Sequence, residues 1–462
     1  MWRKYLVHEG ASSITFVVQD FPFACGIYPA YPDFLHSVRN EAIANVKRLR
    51  HHPSLVLFCA NNEDYQQIRQ WKIDESQSEP LPARESYEEV LPKVVSELTN
   101  PAIAYHPGSP SKAADSGATD DPTQGDIHQW TVWAPPSNPW QDYDQLGGRF
   151  VSEFGMPSIP DIRTVDRWLD GDQWERYSQS KLMQQHNRAG SHDRRFAVYV
   201  NEMFRLTGDF TSPTSRSDGC AGALVRQLND SWPVTSWSII DYFLRPKPAY
   251  YAIKRELDVV AVKIQRTVHK DRENDRPRQF YEHGAFQTSG ATLDIWAANS
   301  SPKTITCTLE HRVAYSNLCA GTLYREGSGQ TPPSGSVVVQ ARLRHGGPSE
   351  DPSPSQKEVA ARTSDWLRPR KFIDFAENAS YCGLSAQVST LGETSLIKLS
   401  CTKPIKCLTL RLDSWKEGEE EVFFSDNGVD LFLGDEQVIT ATGLAGRALR
   451  ANFLGCEGGR RI

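Results

Sequence analysis

Glu63 and Glu153 each close a short apolar run, and carboxylates delivered that way can do acid, base or nucleophilic chemistry. The first run, Leu55, Val56, Leu57 and Phe58, is entered through Pro53 and followed by Asn61, Asn62, Glu63 and Asp64. The second, residues 148–155, carries Phe150, Val151 and Phe154 around Glu153 and ends in Gly155. Retaining glycoside hydrolysis needs two such carboxyls about 5 Å apart, one protonated as the acid and one ionised as the nucleophile. Taken alone, the first cluster also fits a helix start, with Asn62 as the cap and acids in the first turn.

Apolar runs without polar alternation suit strands buried on both faces of a parallel sheet, whose C-terminal ends deliver functional residues. Strand candidates recur at residues 14–18, 55–58, 102–105, 127–133, 148–155 and 223–228. Between them fall helical patterns over residues 33–50, 87–98 and about 160–207, with a closing helix over 247–257. Residues 107–125, rich in Ser, Asp, Gly and Pro, form a long loop. Beyond residue 257 the period changes to two, at 293–297, 304–313 and 408–412, which predicts antiparallel sheets. The Asn427-Gly428 pair between 422–424 and 429–432 predicts a hairpin.

Three motifs carry a resemblance: Asn61-Asn62-Glu63, residues 149–155, and residues 227–237 (Gln-Leu-Asn-Asp-Ser-Trp-Pro-Val-Thr-Ser-Trp). In this order they resemble the β-mannosidases of glycoside hydrolase family 2, the fungal branch above all, from about residue 15 to the C-terminus. The resemblance implies a (β/α)8 TIM barrel lacking its first strands over residues 1–257, with residues 14–18 as the third strand. One or two immunoglobulin-like β-sandwich domains would follow over 258–462. It implies exo-acting release of terminal β-D-mannose with retention, Glu63 being the general acid/base and Glu153 the nucleophile. As an acid at neutral pH, Glu63 would need a pKa raised by apolar burial, from Phe58, Trp71 and Trp133, or by the second carboxylate.

Asn62 is then a candidate for the sugar 2-hydroxyl, Trp71, Trp133 and Trp232 for sugar faces, and Asn229 and Asp230 for hydroxyls or bracing. His128 reads as a structural strand histidine. The two carboxyls should face one cavity at about 5 to 5.5 Å, and carbons more than about 9 Å apart would count against a working site. This sequence departs from the family at Val18 and Arg226, where tryptophan is usual, at Ala60 for glycine, and at Ala134-Pro135 for His-Gly. A charge at Arg226 must be paired or solvated. By the same resemblance, the family's sugar-binding N-terminal domain and first strands are expected to be missing from residues 1–462. An inactive remnant that at most binds glycans, or a related β-glycosidase such as a β-galactosidase, are the other readings.

The formal charge of −6 gives no electrostatic reason to expect nucleic acid or an anionic membrane. No run of 18 apolar residues predicts a membrane span. The 9 cysteines are odd in number, scattered and without a CxxC pair, favouring free thiols in a reducing, cytoplasmic setting. No metal spacing and no phosphate loop is present, so no cofactor is expected. The expected partner is a β-mannoside oligosaccharide, with a homodimer left open.

Overall fold

The computed structural model describes residues 16–71, 83–112, 119–138, 143, 146–189, 195, 222–270, 288–315, 337–346, 359–366, 382–416 and 418–462. The chain divides into two compact units, residues 1–155 with 215–226, and residues 156–214 with 227–462.

In the first unit six short strands form two parallel sheets. β1 (Val17–Asp20), β2 (Leu55–Cys59) and β3 (Ala104–His106) make one; β4 (Ile127–Gln129), β5 (Phe150–Phe154) and β6 (Gly222–Val225) make the other. All four pairings are parallel. Parallel neighbours need crossovers. Helix α1 (Pro32–Leu49) crosses from β1 to β2, and α2 (Asp64–Gln70) and α3 (Leu91–Leu98), the latter after a π-helical turn at Glu85–Val90, lie between β2 and β3. Val38, Ala42 and Val46, four apart on α1, pack with Phe58, Tyr87, Leu91 and Val94 into one core. The six strands fall where the apolar runs predict them, with ends shifted. The run at 127–133 is strand only to Gln129, and residues 130–136 turn. No ladder joins β3 to β4 among the described residues.

At the end of β5, a Cβ on Gly155 would stand 2.6 Å from the Arg226 carbonyl, so glycine is what lets the ends of β5 and β6 approach. The Arg226 N–H donates to the Phe154 carbonyl at 2.9 Å. That contact fixes Arg226 beside the strand end that carries Glu153.

The second unit opens with α4 (Ile162–Leu169), capped by Asp161, then α5 (Lys181–Gln185) and α6 (Pro248–Glu256). The helical pattern expected over 160–207 is broken between α4 and α5, where residues 170–180 turn around one 3-10 turn at Gln173–Glu175, and residues 190–207 lie outside the described residues apart from Arg195. From residue 260 all pairing among the described residues is antiparallel, as the period-two pattern predicts. β7 (Val260–Lys270) pairs with β8 (Thr288–Asn299), and β10 (Val337–His345) lies between β9 (Cys307–Tyr315) and β11 (Val359–Trp366). The last sheets are β12 (Ser385–Leu391), β13 (Thr394–Ser400), β17 (Gln437–Thr442) and β15 (Phe423–Phe424), and β16 (Val429–Leu431), β14 (Ile405–Leu412), β18 (Leu449–Phe453) and β19 (Cys456–Arg461). Ile397, Leu399, Leu408, Leu410, Ile439 and Ala451 share one core between these two sheets.

The Asn427-Gly428 hairpin does not form. β15 pairs with β17 and β16 with β14. The cause is the Asn427 side chain, which accepts from Leu410 N–H at 2.7 Å and donates to Leu410 C=O at 2.9 Å. It pins the turn to β14 and sends its flanks into different sheets. No described helix is long and apolar enough to cross a membrane.

Candidate active site

The loops at the ends of β1, β2 and β3 are tied by backbone bonds before any side chain contributes. Asn62 N–H donates to Phe23 C=O at 2.9 Å, Cys25 N–H to Asn62 C=O at 2.8 Å and Glu63 N–H to Ser109 C=O at 2.7 Å. Asn61, fully buried, accepts from Asp64 N–H at 3.2 Å and donates to Pro107 C=O at 2.9 Å. The helix start predicted at Asn62 is thus displaced: Glu63 is the cap residue of α2 and makes no side-chain capping bond. Its φ of 67° is left-handed, a conformation L side chains rarely adopt. Asp64 accepts from Gly26 N–H at 3.1 Å and from the Tyr87 hydroxyl. Burial pushes its carboxyl up to about 6.

With its own cap role given up, the Glu63 side chain reaches His128. His128 Nδ1 lies 2.9 Å from Glu63 Oε1 and 3.7 Å from Glu153 Oε2, and its side chain is fully buried. The Cys25 thiol donates to Glu63 Oε2 at 3.2 Å. Burial and Glu63 push that thiol up to about 11, so it remains a donor. Glu153 accepts from Arg226 Nη1 at 2.9 and 3.0 Å on its two oxygens and from Trp130 Nε1 at 3.2 Å. The charge at position 226 is therefore both paired and, with a side chain 42% exposed, solvated.

One oxygen of Glu63, one of Glu153 and His128 Nδ1 all lie within 4.8 Å of one another. Adding about 1.2 Å for each C–O bond keeps the two carboxyl carbons within about 7.2 Å, inside the 9 Å limit. A cation could span these three atoms, but Arg226 already supplies the positive charge at Glu153, and no metal ligands are assigned.

The protonation expected of Glu63 needs correcting. Burial does push its carboxyl up, but the hydrogen bond and charge of His128, the Cys25 thiol and the Arg226 charge together hold it below the ordinary glutamate value. Asp20, at the end of β1, goes the other way: its carboxyl is pushed up to about 6, first by burial and then by the Glu153 charge.

Behind His128 stands a second layer. Asp126 accepts from Ser109 Oγ at 2.5 Å, Ser152 Oγ at 2.5 Å and Ser111 N–H at 2.9 Å, with His106 Nε2 at 3.1 Å. Ser109 Oγ also meets His128 Nε2 at 2.9 Å.

The other predicted residues divide. Asn62 is half-buried beside Glu63, with its amide 3.7 Å from Cys25 Sγ. Trp133 is 3% exposed and packs instead of offering a face. Trp71, 53% exposed at the end of α2, offers one to solvent. In the second unit Asp230 is buried, with Ser236 and Ser238 hydroxyls at 2.5 and 2.6 Å and Lys247 Nζ at 3.4 Å, so it braces its loop. Asn229 donates to the Asp230 carbonyl, and the exposed Trp232 ring lies 4.6 Å from the Arg188 guanidinium. His128, read as structural, is instead the hub, and Trp130 and Cys25 were missed. The strand expected over 127–133 places His128 and Trp130 two apart on one face, and both reach Glu153 although the strand ends at Gln129; nothing local singles out Cys25.

No family model matches the chain. It is 36% identical over 95% of its length to β-mannosidase B of Aspergillus niger, and 34% identical over 98% to β-mannosidase B of Aspergillus fumigatus. The chain spans about half the length of these curated relatives, 54% and 56%. Among solved structures it superposes on the β-D-mannosidase of Dictyoglomus thermophilum with a TM-score of 0.72 at 23% identity, covering 95% of this chain and 53% of that one. The exo-chitosanase CsxA of Amycolatopsis orientalis follows the fold more loosely, with a TM-score of 0.51 at 14% identity over 94% of this chain and 54% of that one. The resemblance carried by the three motifs thus extends over nearly the whole chain.

Proposed function

We propose that the chain is a glycoside hydrolase that releases terminal, non-reducing β-D-mannose with retention. The observation that carries the reading is the convergence of Glu63 and Glu153 on one imidazole nitrogen. Similarity to β-mannosidase B proteins supplies the sugar. Glu153 attacks the anomeric carbon and forms a mannosyl ester while a proton passes through Glu63 to the leaving oxygen. Water, deprotonated by Glu63, then attacks the ester from the face the leaving group vacated, and two inversions give retention. Under this proposal Asn62, next to the acid, meets the 2-hydroxyl. In this reading β1 to β6 are the third to eighth strands of a (β/α)8 barrel occupying residues 1–257, with immunoglobulin-like sandwiches over 258–462. A cytoplasmic setting belongs to the same reading, on the odd number and scattered spacing of the cysteines.

The test is mannose release from a chromogenic β-mannoside by the purified chain, with the anomer of the first product read by NMR. Turnover no greater than that of Glu153→Ala removes the catalytic reading, and a preference for β-galactosides removes the mannoside. One observation favours a second reading, glycan binding without turnover: Arg226 already contacts both oxygens of the nucleophile. Mannoside binding by calorimetry without hydrolysis would select it.

A further inference from the structure

The hydrogen bonds around His128 determine where its protons are. Asp126 is buried, and although burial pushes its carboxyl up, His106, the Ser109 and Ser152 hydroxyls and Ser111 N–H hold it below the ordinary aspartate value. As a carboxylate it can only accept. A hydroxyl carries a single proton, and two oxygens approach to 2.5 Å only with a proton between them. The Ser109 proton therefore points at Asp126. Ser109 Oγ, its proton committed, can only accept from His128 Nε2 at 2.9 Å, so Nε2 carries hydrogen.

That leaves Nδ1, 2.9 Å from Glu63 Oε1. With Nε2 protonated, a hydrogen bond at Nδ1 exists in two forms. Either a neutral imidazole accepts from a protonated Glu63, or an imidazolium donates to ionised Glu63. Both forms contain the same one proton. The surroundings favour the second. Nδ1 faces a second carboxylate oxygen, from Glu153, at 3.7 Å. Arg226 balances one of the two negative charges, and an imidazolium balances the other.

We propose that His128 is the resting holder of the acid proton, a positioning residue that keeps it on Nδ1 and delivers it through Glu63. The proposal rests on the hydrolytic reading above. In the first step a Glu153 oxygen bonds to C1, the C1–O electron pair leaves with the glycosidic oxygen, the Nδ1–H bond breaks, and an O–H bond forms on that oxygen by way of the Glu63 carboxyl. In the second, water gives its proton through Glu63 back to Nδ1, its oxygen bonds to C1, and Glu153 leaves as carboxylate. The lowered carboxyl of Glu63 agrees with a proton resting on the imidazole. The groups bearing on this pair include Glu153 and Arg226 at the ends of β5 and β6, Asp20 on β1, Cys25 and Asp64 beside Glu63, and Asp126 and His106 behind.

Histidine-15N NMR of the intact chain at neutral pH tests this without any substrate, the His128 signals being identified by their loss in His128→Gln. Both ring nitrogens should read as protonated in the wild type, and Glu63→Gln, whose amide can donate to Nδ1, should leave only Nε2 protonated. A neutral His128 in the wild type, on either tautomer, overturns the proposal. In turnover, His128→Gln should lower kcat/KM for a β-mannoside with an alkyl leaving group about 100-fold more than for a dinitrophenyl β-mannoside, which needs little acid help. Equal losses on both substrates also overturn it. A doubly protonated His128 in a chain that cleaves no glycoside would leave the proton holder standing and remove the hydrolase.

Discussion

Asp435 and Glu153 are both carboxylates beside arginine, one in the antiparallel half of the chain and one at the end of β5. Asp435 is 2% exposed and meets Arg342 Nη1 at 2.8 Å, Gln340 Nε2 at 3.0 Å and Arg362 Nε at 3.3 Å, with the Arg342 side chain itself 1% exposed. Glu153 has an arginine too, but one open to solvent, and its remaining neighbours are a tryptophan N–H and a histidine already shared with Glu63. A closed pair of the first kind is costly to break, because the surviving charge stays buried. The second kind can be approached, and its cation can turn to water. Asp435 is sealed among its partners, and Glu153 is left with one side open.

The largest effect should separate the two kinds outright. Glu153→Ala should lower β-mannoside turnover by roughly four orders of magnitude, while its urea midpoint stays close to that of the wild type, since Arg226 is left solvated. An equal fall in stability would break the comparison. Asp435→Ala should do the reverse and destabilise by about 3–5 kcal/mol in urea denaturation. A loss below about 1 kcal/mol would mean that its partners find water.

Asp64 sharpens the comparison through pH. Its folded carboxyl is pushed up to about 6, above the unfolded value near 3.8, so the folded chain binds more protons between those limits and stability falls as pH rises through that window. The fall should be about 2 kcal/mol after allowance for screening, and Asp64→Asn should flatten it in urea titrations at pH 4, 5, 6 and 7. A slope unchanged in the variant would assign it elsewhere. The smallest effect belongs to Trp130→Phe, which removes one donor from Glu153 and should cost about tenfold in kcat/KM. A loss as large as that of Glu153→Ala would make Trp130 more than a donor.

Much of this was legible before any coordinates. Leu55 and Phe58 announce a buried strand because nothing polar interrupts them, and the change of period at residue 257 marks the antiparallel half. The two glutamates stand out because each ends such a run. What the sequence hides is set by distance along the chain. A charge at Arg226 must find a partner, yet nothing local says that the partner is Glu153, 73 residues away. His128 looks like any strand histidine until Ser109 and Asp126 are seen behind it. The Asn427-Gly428 turn fails for a similar reason: its local chemistry is that of a hairpin, and a contact with Leu410, 17 residues earlier, overrides it.

The left-handed backbone at Glu63 carries one more consequence, for how this position tolerates change. At φ 67° the main chain would be served best by glycine or asparagine. The chemistry proposed for the same residue needs a carboxyl on a side chain long enough to reach His128. A substitution library scored only for folded yield should therefore enrich glycine and asparagine there and deplete valine and isoleucine, whose branched Cβ suits this backbone least. Scored for turnover, the same library should retain glutamate alone.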